Sequence, residues 1–178
     1  MEPGDAVVTE PVTAEAAIVD FDGTLVDLPI DWRRLRAQLG VTAIDNLFDH
    51  GSADMWSIVR QQEIRAAQCG EPRERVIELL AHVPWLAILT ANSEDAVSAF
   101  LERRPDLAPR VVAIVGRETA QGPKRDEATF VAAFDRCRSR LRDCAGQDIT
   151  AVYVGDQDYE LRFAAALGAP TIDARRLI

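Results

Sequence analysis

Ala16-Ala17-Ile18-Val19-Asp20-Phe21-Asp22-Gly23-Thr24 is the stretch that decides the fold. Four apolar residues in a row, ending in the β-branched pair Ile18 and Val19, read as a short strand buried on both faces, the habit of a parallel sheet. The run stops on an acid, a second acid follows two residues later, and Gly23 permits a sharp exit. Moving outward, similar runs recur at Trp85–Leu89, Val111–Val115 and 151–154, with a weaker one at 170–172. Helical patterns lie between them. The pattern at 94–103 follows Ser93, a residue type that caps helices. That at 126–143 puts Phe130, Ala133, Phe134, Cys137 and Leu141 close to helical spacing, and that at 158–167 stops at Gly168. Strands alternating with helices predict an α/β fold, a Rossmann-like three-layer core with a parallel sheet between helices.

One stretch breaks the alternation. Residues 29–82 offer no strand pattern, only helical ones at 32–39, 55–68 and 73–80, punctuated by Gly40, Gly51 and Gly70. The expected organisation is therefore a flexible tail over 1–15, a core made of 16–28 and 84–178, and a small helical cap over 29–83. The tail assignment rests on acids, prolines and the lack of any basic residue, which also argues against a signal peptide. No apolar run approaches the roughly 20 residues that span a bilayer. A net charge of −9 disfavours nucleic acid and anionic membrane as partners. Cys69, Cys137 and Cys144 are widely spaced and form no metal-binding pattern, so free thiols in a reducing cytoplasm are expected.

In parallel α/β sheets ligands gather at the carboxyl ends of the strands. Here those ends carry Asp20 and Asp22, then Thr90-Ala91-Asn92-Ser93, then Gly122-Pro123-Lys124 past the third strand, then Gly155-Asp156. Asp20 and Asp22 can divide nucleophilic attack and proton transfer. Crowded carboxylates need a hard cation before a phosphate can approach, and oxygen-only ligands suit Mg²⁺. Thr90 and Lys124 supply a hydroxyl and a positive charge for phosphoryl oxygens.

These residues resemble the haloacid dehalogenase-like superfamily, whose members are mostly phosphatases, and in particular its phosphoglycolate phosphatase-like branch. Asp20-Phe21-Asp22-Gly23-Thr24-Leu25 looks like the first signature, Ile88-Leu89-Thr90-Ala91-Asn92 the second, Lys124 to Phe130 the third without its frequent prolines, and Val154-Gly155-Asp156-Gln157-Asp158-Tyr159-Glu160 the fourth. The resemblance implies a sheet order of 5-4-1-2-3 and a small phosphorylated molecule as substrate. It implies that Asp20 attacks phosphorus to form an aspartyl-phosphate and that Asp22 protonates the leaving group, then activates water. Thr90 and Lys124 would hold the phosphoryl, with Gly23, Thr24, Ala91 and Asn92 lining the substrate. Asp20, the carbonyl of Asp22 and Asp156 would bind Mg²⁺. Glu160 stands where the family usually has a second aspartate, with Asp158 as a competing candidate.

Family members with dehalogenase activity lack an acid at the Asp22 position, which favours phosphoryl transfer here. A mutase or phosphotransferase using the same nucleophile, and a non-catalytic binding protein on the same fold, are the rival readings. Arg33, Arg34, Arg36, Arg60, Arg65, Arg73 and Arg75 in the cap are expected on solvated helix faces, paired with Glu63, Glu71, Glu74 and Glu78. The alternative is that one of them points into the site and reads an anionic group. Trp32, Trp56 and Trp85 are expected in packing.

Overall fold

The computed structural model describes residues 14–177; most of the expected N-terminal tail lies outside them. Strand β1 (Ala16–Val19) is the middle of a five-stranded sheet, paired in parallel with β4 (Trp85–Leu89) on one side and β6 (Ala151–Gly155) on the other. Strands β5 (Val111–Val115) and β7 (Thr171–Asp173) add in parallel at the edges, giving the order β5-β4-β1-β6-β7. The labels differ from the expected 5-4-1-2-3 only because two short strands, β2 (Val26–Asp27) and β3 (Glu71–Pro72), enter the count.

Alternate residues of β1 point to opposite faces, and both faces are covered. Ala17 and Val19 join an apolar cluster with Phe21 and Ile88, with Val97 and Phe100 of α5 (Glu94–Leu101), and with Val76, Ile77 and Leu80 in and just after α4 (Glu74–Leu79). Ala16 and Ile18 join a second cluster with Leu89 and Tyr153, Phe130, Phe134 and Cys137 of α7 (Glu127–Ala145), and Ala164 of α8 (Asp158–Ala166). Helix α5 starts as expected, with Ser93 Oγ accepting from Ala96 N at 3.3 Å. It ends at Leu101, short of 103, with Pro105 close ahead.

The insert between β1 and β4 contains α1 (Trp32–Leu39), α2 (Leu47–His50), α3 (Ala53–Cys69) and α4. Leu35, Leu39, Leu47 and Val59 make its own small apolar cluster. One feature there departs from expectation: β3 pairs antiparallel with β2, Val26 opposite Pro72 and Asp27 opposite Glu71. Two-residue strands carry no alternation to read, and Pro72 argues against a strand. Gly70 makes room for this closure, since a Cβ there would lie 2.8 Å from Val26 Cγ2. Among the described residues no helix is long and apolar enough to cross a membrane.

Candidate active site

The chain turns sharply where β1 ends. Asp20 N still bonds Val154 O at 2.9 Å, then Thr24 N, Leu25 N and Val26 N all converge on Phe21 O. Gly23 takes the left-handed region at φ 80°, and a Cβ on it would come 2.5 Å from Asp156 Oδ2. Only glycine allows both the turn and that approach. The turn leaves Asp20 buried, its Oδ2 accepting from the Thr24 hydroxyl at 3.1 Å and its Oδ1 facing Lys124 Nζ at 2.5 Å.

Lys124 lies between α6 (Arg117–Ala120) and α7, fully enclosed. Its ammonium also reaches Glu160 Oε1 at 2.9 Å. Glu160 is anchored in turn by the hydroxyls of Tyr153 (2.6 Å to Oε2) and Tyr159 (3.0 Å to Oε1). Both of its oxygens therefore already accept. Asp156 is different: Oδ2 accepts from Gln157 Nε2 at 3.0 Å, while Oδ1 is buried with no hydrogen-bond partner among the described residues. Oxygens of Asp20, Asp156 and Glu160 lie within 4.8 Å of one another. Three carboxylates, one with a buried open oxygen, and no nitrogen or sulfur ligand fit a hard divalent cation such as Mg²⁺. Asp22 is not in that cluster; its Oδ1 accepts from Leu28 N at 3.0 Å. Asp158 is turned to solvent and paired with Arg175 at 2.5 Å.

Burial raises Asp20 most, and despite the opposing Lys124 its carboxyl is pushed up to about 7. Burial likewise takes Asp22 to about 6 against the Leu28 N–H, and raises Asp156. For Lys124 burial pulls downward, but Asp20 and Glu160 outweigh it and the net direction is up, so the ammonium stays charged.

Thr90, Ala91 and Asn92 line the same cleft of about 330 Å³. The Thr90 hydroxyl donates to Asn92 Oδ1 at 3.0 Å and accepts from Asn92 N at 3.0 Å. The Asn92 side chain is committed elsewhere, its Nδ2 donating to Glu63 at 3.2 Å. Glu63 corrects the sequence reading. It is not on a solvated face but buried on α3, bound through both oxygens to Arg117 at 2.8 and 2.9 Å and accepting from Ser93 N at 3.0 Å. The Arg117 guanidinium also stacks 4.5 Å from the Trp56 ring centre. A signal for this existed: Glu63 falls between Val59 and the pair Ala66–Ala67 at helical spacing, so a carboxylate sits on the apolar face.

No family model matches the chain, and no curated protein does. Solved structures do share its fold. One from Lactobacillus plantarum, assigned as a phosphoglycolate phosphatase, aligns with TM-score 0.57 and 17% identity over 93% of this chain and 88% of its own. The L-2-haloacid dehalogenase of Xanthobacter autotrophicus aligns with TM-score 0.57 and 15% identity over 90% and 77%. A haloacid dehalogenase-superfamily hydrolase from Ehrlichia chaffeensis aligns with TM-score 0.54 and 17% identity over 90% and 87%. The chain has the fold of the haloacid dehalogenase-like hydrolases.

Proposed function

We propose that the chain hydrolyses a small phosphomonoester through Asp20, with Mg²⁺ as cofactor. The observation that carries this reading is Lys124 Nζ at 2.5 Å from Asp20 Oδ1, beside the unpartnered Asp156 Oδ1. A carboxylate nucleophile, a fixed cation and an open oxygen ligand face one cleft. Asp20, Asp156 and the Asp22 carbonyl would hold the metal, with Glu160 fixing Lys124 from behind. When bound, Mg²⁺ neutralises phosphoryl charge so that a dianionic ester can approach the acids.

Asp20 attacks phosphorus, the bond to the alcohol oxygen breaks, and the electron pair leaves with that oxygen. Asp22 supplies the proton the alkoxide needs; held at about 6, it carries one for part of the time near neutral pH. As a carboxylate it then takes a proton from the water that attacks the aspartyl-phosphate, which frees Asp20. Lys124 holds the phosphoryl oxygens as charge grows on them, joined by the Thr90 hydroxyl once its proton turns from Asn92 Oδ1 to the phosphoryl. A departing halide needs no proton, so an acid at Asp22 supports phosphoryl transfer over dehalogenation. A phosphotransferase would use the same first step and differ only in its acceptor; release of inorganic phosphate separates the two.

Release of p-nitrophenol from p-nitrophenyl phosphate, with Mg²⁺ and with chelator, tests the proposal. Turnover is expected only with metal, and Asp20→Asn should lose at least about a thousand-fold. Undiminished turnover in that variant would sink the assignment of the nucleophile.

A further inference from the structure

The wall of the cleft facing Asp20 is built by the insert, and α1 contributes Trp32 and Arg36 to it. These residues are one helical turn apart and share a face. The rotation of α1 is fixed along the same side, where Leu35 and Leu39 are buried in the insert's own apolar cluster and Trp32 packs against it, leaving Arg36 at the edge of that stripe. Arg36 is half-buried, yet its side chain has no hydrogen bond, ion pair or ring contact among the described residues. Its neighbours Arg33 and Arg34 are likewise unpaired but exposed, the ordinary condition of a surface arginine. Arg117 is partnered by Glu63, Arg104 by Glu74 and Asp106, and Arg73 by the Gly23 carbonyl. Arg142, half-buried away from the cleft, also has a buried Nε without a partner, so it is the place of Arg36 in the cleft that sets it apart. The acid nearest to Arg36 along the cleft's chain order, Asp45, is paired instead with Arg125 at 2.8 Å. A guanidinium is a rigid fork of donors matched to planar oxyanions. Left open in a cleft, it has the form of a receptor.

We propose that Arg36 is the recognition group of a second anionic subsite, so that the substrate is a small phosphomonoester carrying a carboxylate or a second phosphate. This rests on the phosphohydrolase reading: the reacting phosphoryl lies against Lys124 and Asp20, and the second anion against Arg36. The Trp32 ring gives the carbon chain between them an apolar wall. A cleft of about 330 Å³ admits only a short connection.

Binding of three non-hydrolysable ligands in the presence of Mg²⁺ tests the subsite without needing turnover: propylphosphonate, 3-phosphonopropionate and propane-1,3-diphosphonate, by calorimetry. The wild type is expected to bind at least one of the doubly anionic ligands about ten-fold or more tighter than propylphosphonate. Whichever leads identifies the second group as carboxylate or phosphate. In Arg36→Met that ratio should collapse toward one, and Arg36→Lys should restore part of it. Equal wild-type affinity for all three, or a ratio that survives in Arg36→Met, overturns the subsite alone. Binding of none of them overturns the phosphoryl site as well.

Discussion

Asp20 carries an electrostatic burden that the rest of the site exists to manage. Its carboxyl titrates at about 7 when folded against 3.8 for a solvated aspartate, because burial penalises the charge. Between those values the folded chain holds a proton that the unfolded chain has released, so stability falls as pH rises through the window. Asp22, at about 6, acts in the same direction over the lower part of it. In chelator, Asp20→Asn should therefore melt above the wild type near pH 8 and close to it near pH 4. The gap in Tm should widen steadily between these limits, since one pKa step is worth about 1.4 kcal/mol. A gap that does not change with pH would mean that the carboxylate is already neutralised by Lys124. Asp20 and Asp156 were legible in the sequence because each directly follows a buried apolar strand; Glu160, on α8, stood out only by its place in the fourth motif. The partners of Thr90 were not, because a hydroxyl gives no hint of which neighbour it will meet.

Helix α3 links the insert to the core. Its first half contributes Val59 to the insert's cluster and its second half contributes Ala66 and Ala67 to the main one. Midway, Glu63 grips Arg117, Asn92 and Ser93. Glu63→Ala leaves a buried guanidinium without its counter-charge, and a loss of about 3–5 kcal/mol is expected in urea unfolding. Replacing both partners by methionine should recover most of that loss; a single substitution costing no more than a surface change would show the pair to be solvated. Sequence periodicity found α1, α3 and α4 to within a few residues, since each repeats its apolar positions at helical spacing. It could not find β2 and β3, which are too short to have a period. It counted α4 with the cap over 29–83, whereas Val76, Ile77 and Leu80 join the main cluster, because an apolar stripe says that a face is covered but not by what.

At the scale of the whole molecule, two apolar clusters share β1 and bind the sheet to both helical layers, while the acidic cluster sits at one end of them. A cation that binds only the folded state stabilises it by about 2.7 kcal/mol at a hundred times its Kd. Mg²⁺ should accordingly raise Tm by several degrees over chelator, and Asp156→Asn should remove most of that rise; an identical rise in the variant would exclude Asp156 as a ligand. The layered architecture of the core was legible, because alternation of buried strands and amphipathic helices admits few arrangements. The contents of the cleft were not, because they depend on side chains brought together from far apart in the chain. The β2–β3 clasp has a further meaning. The chain leaves the core at Val26 and comes back at Pro72 directly across the ladder. The interruption thus begins and ends at one spot, like a socket. What is plugged into it can be lengthened or shortened around α1 and α2 without moving Asp20 or Lys124, whereas α3 must keep Glu63 against Arg117 and its alanines in the main core.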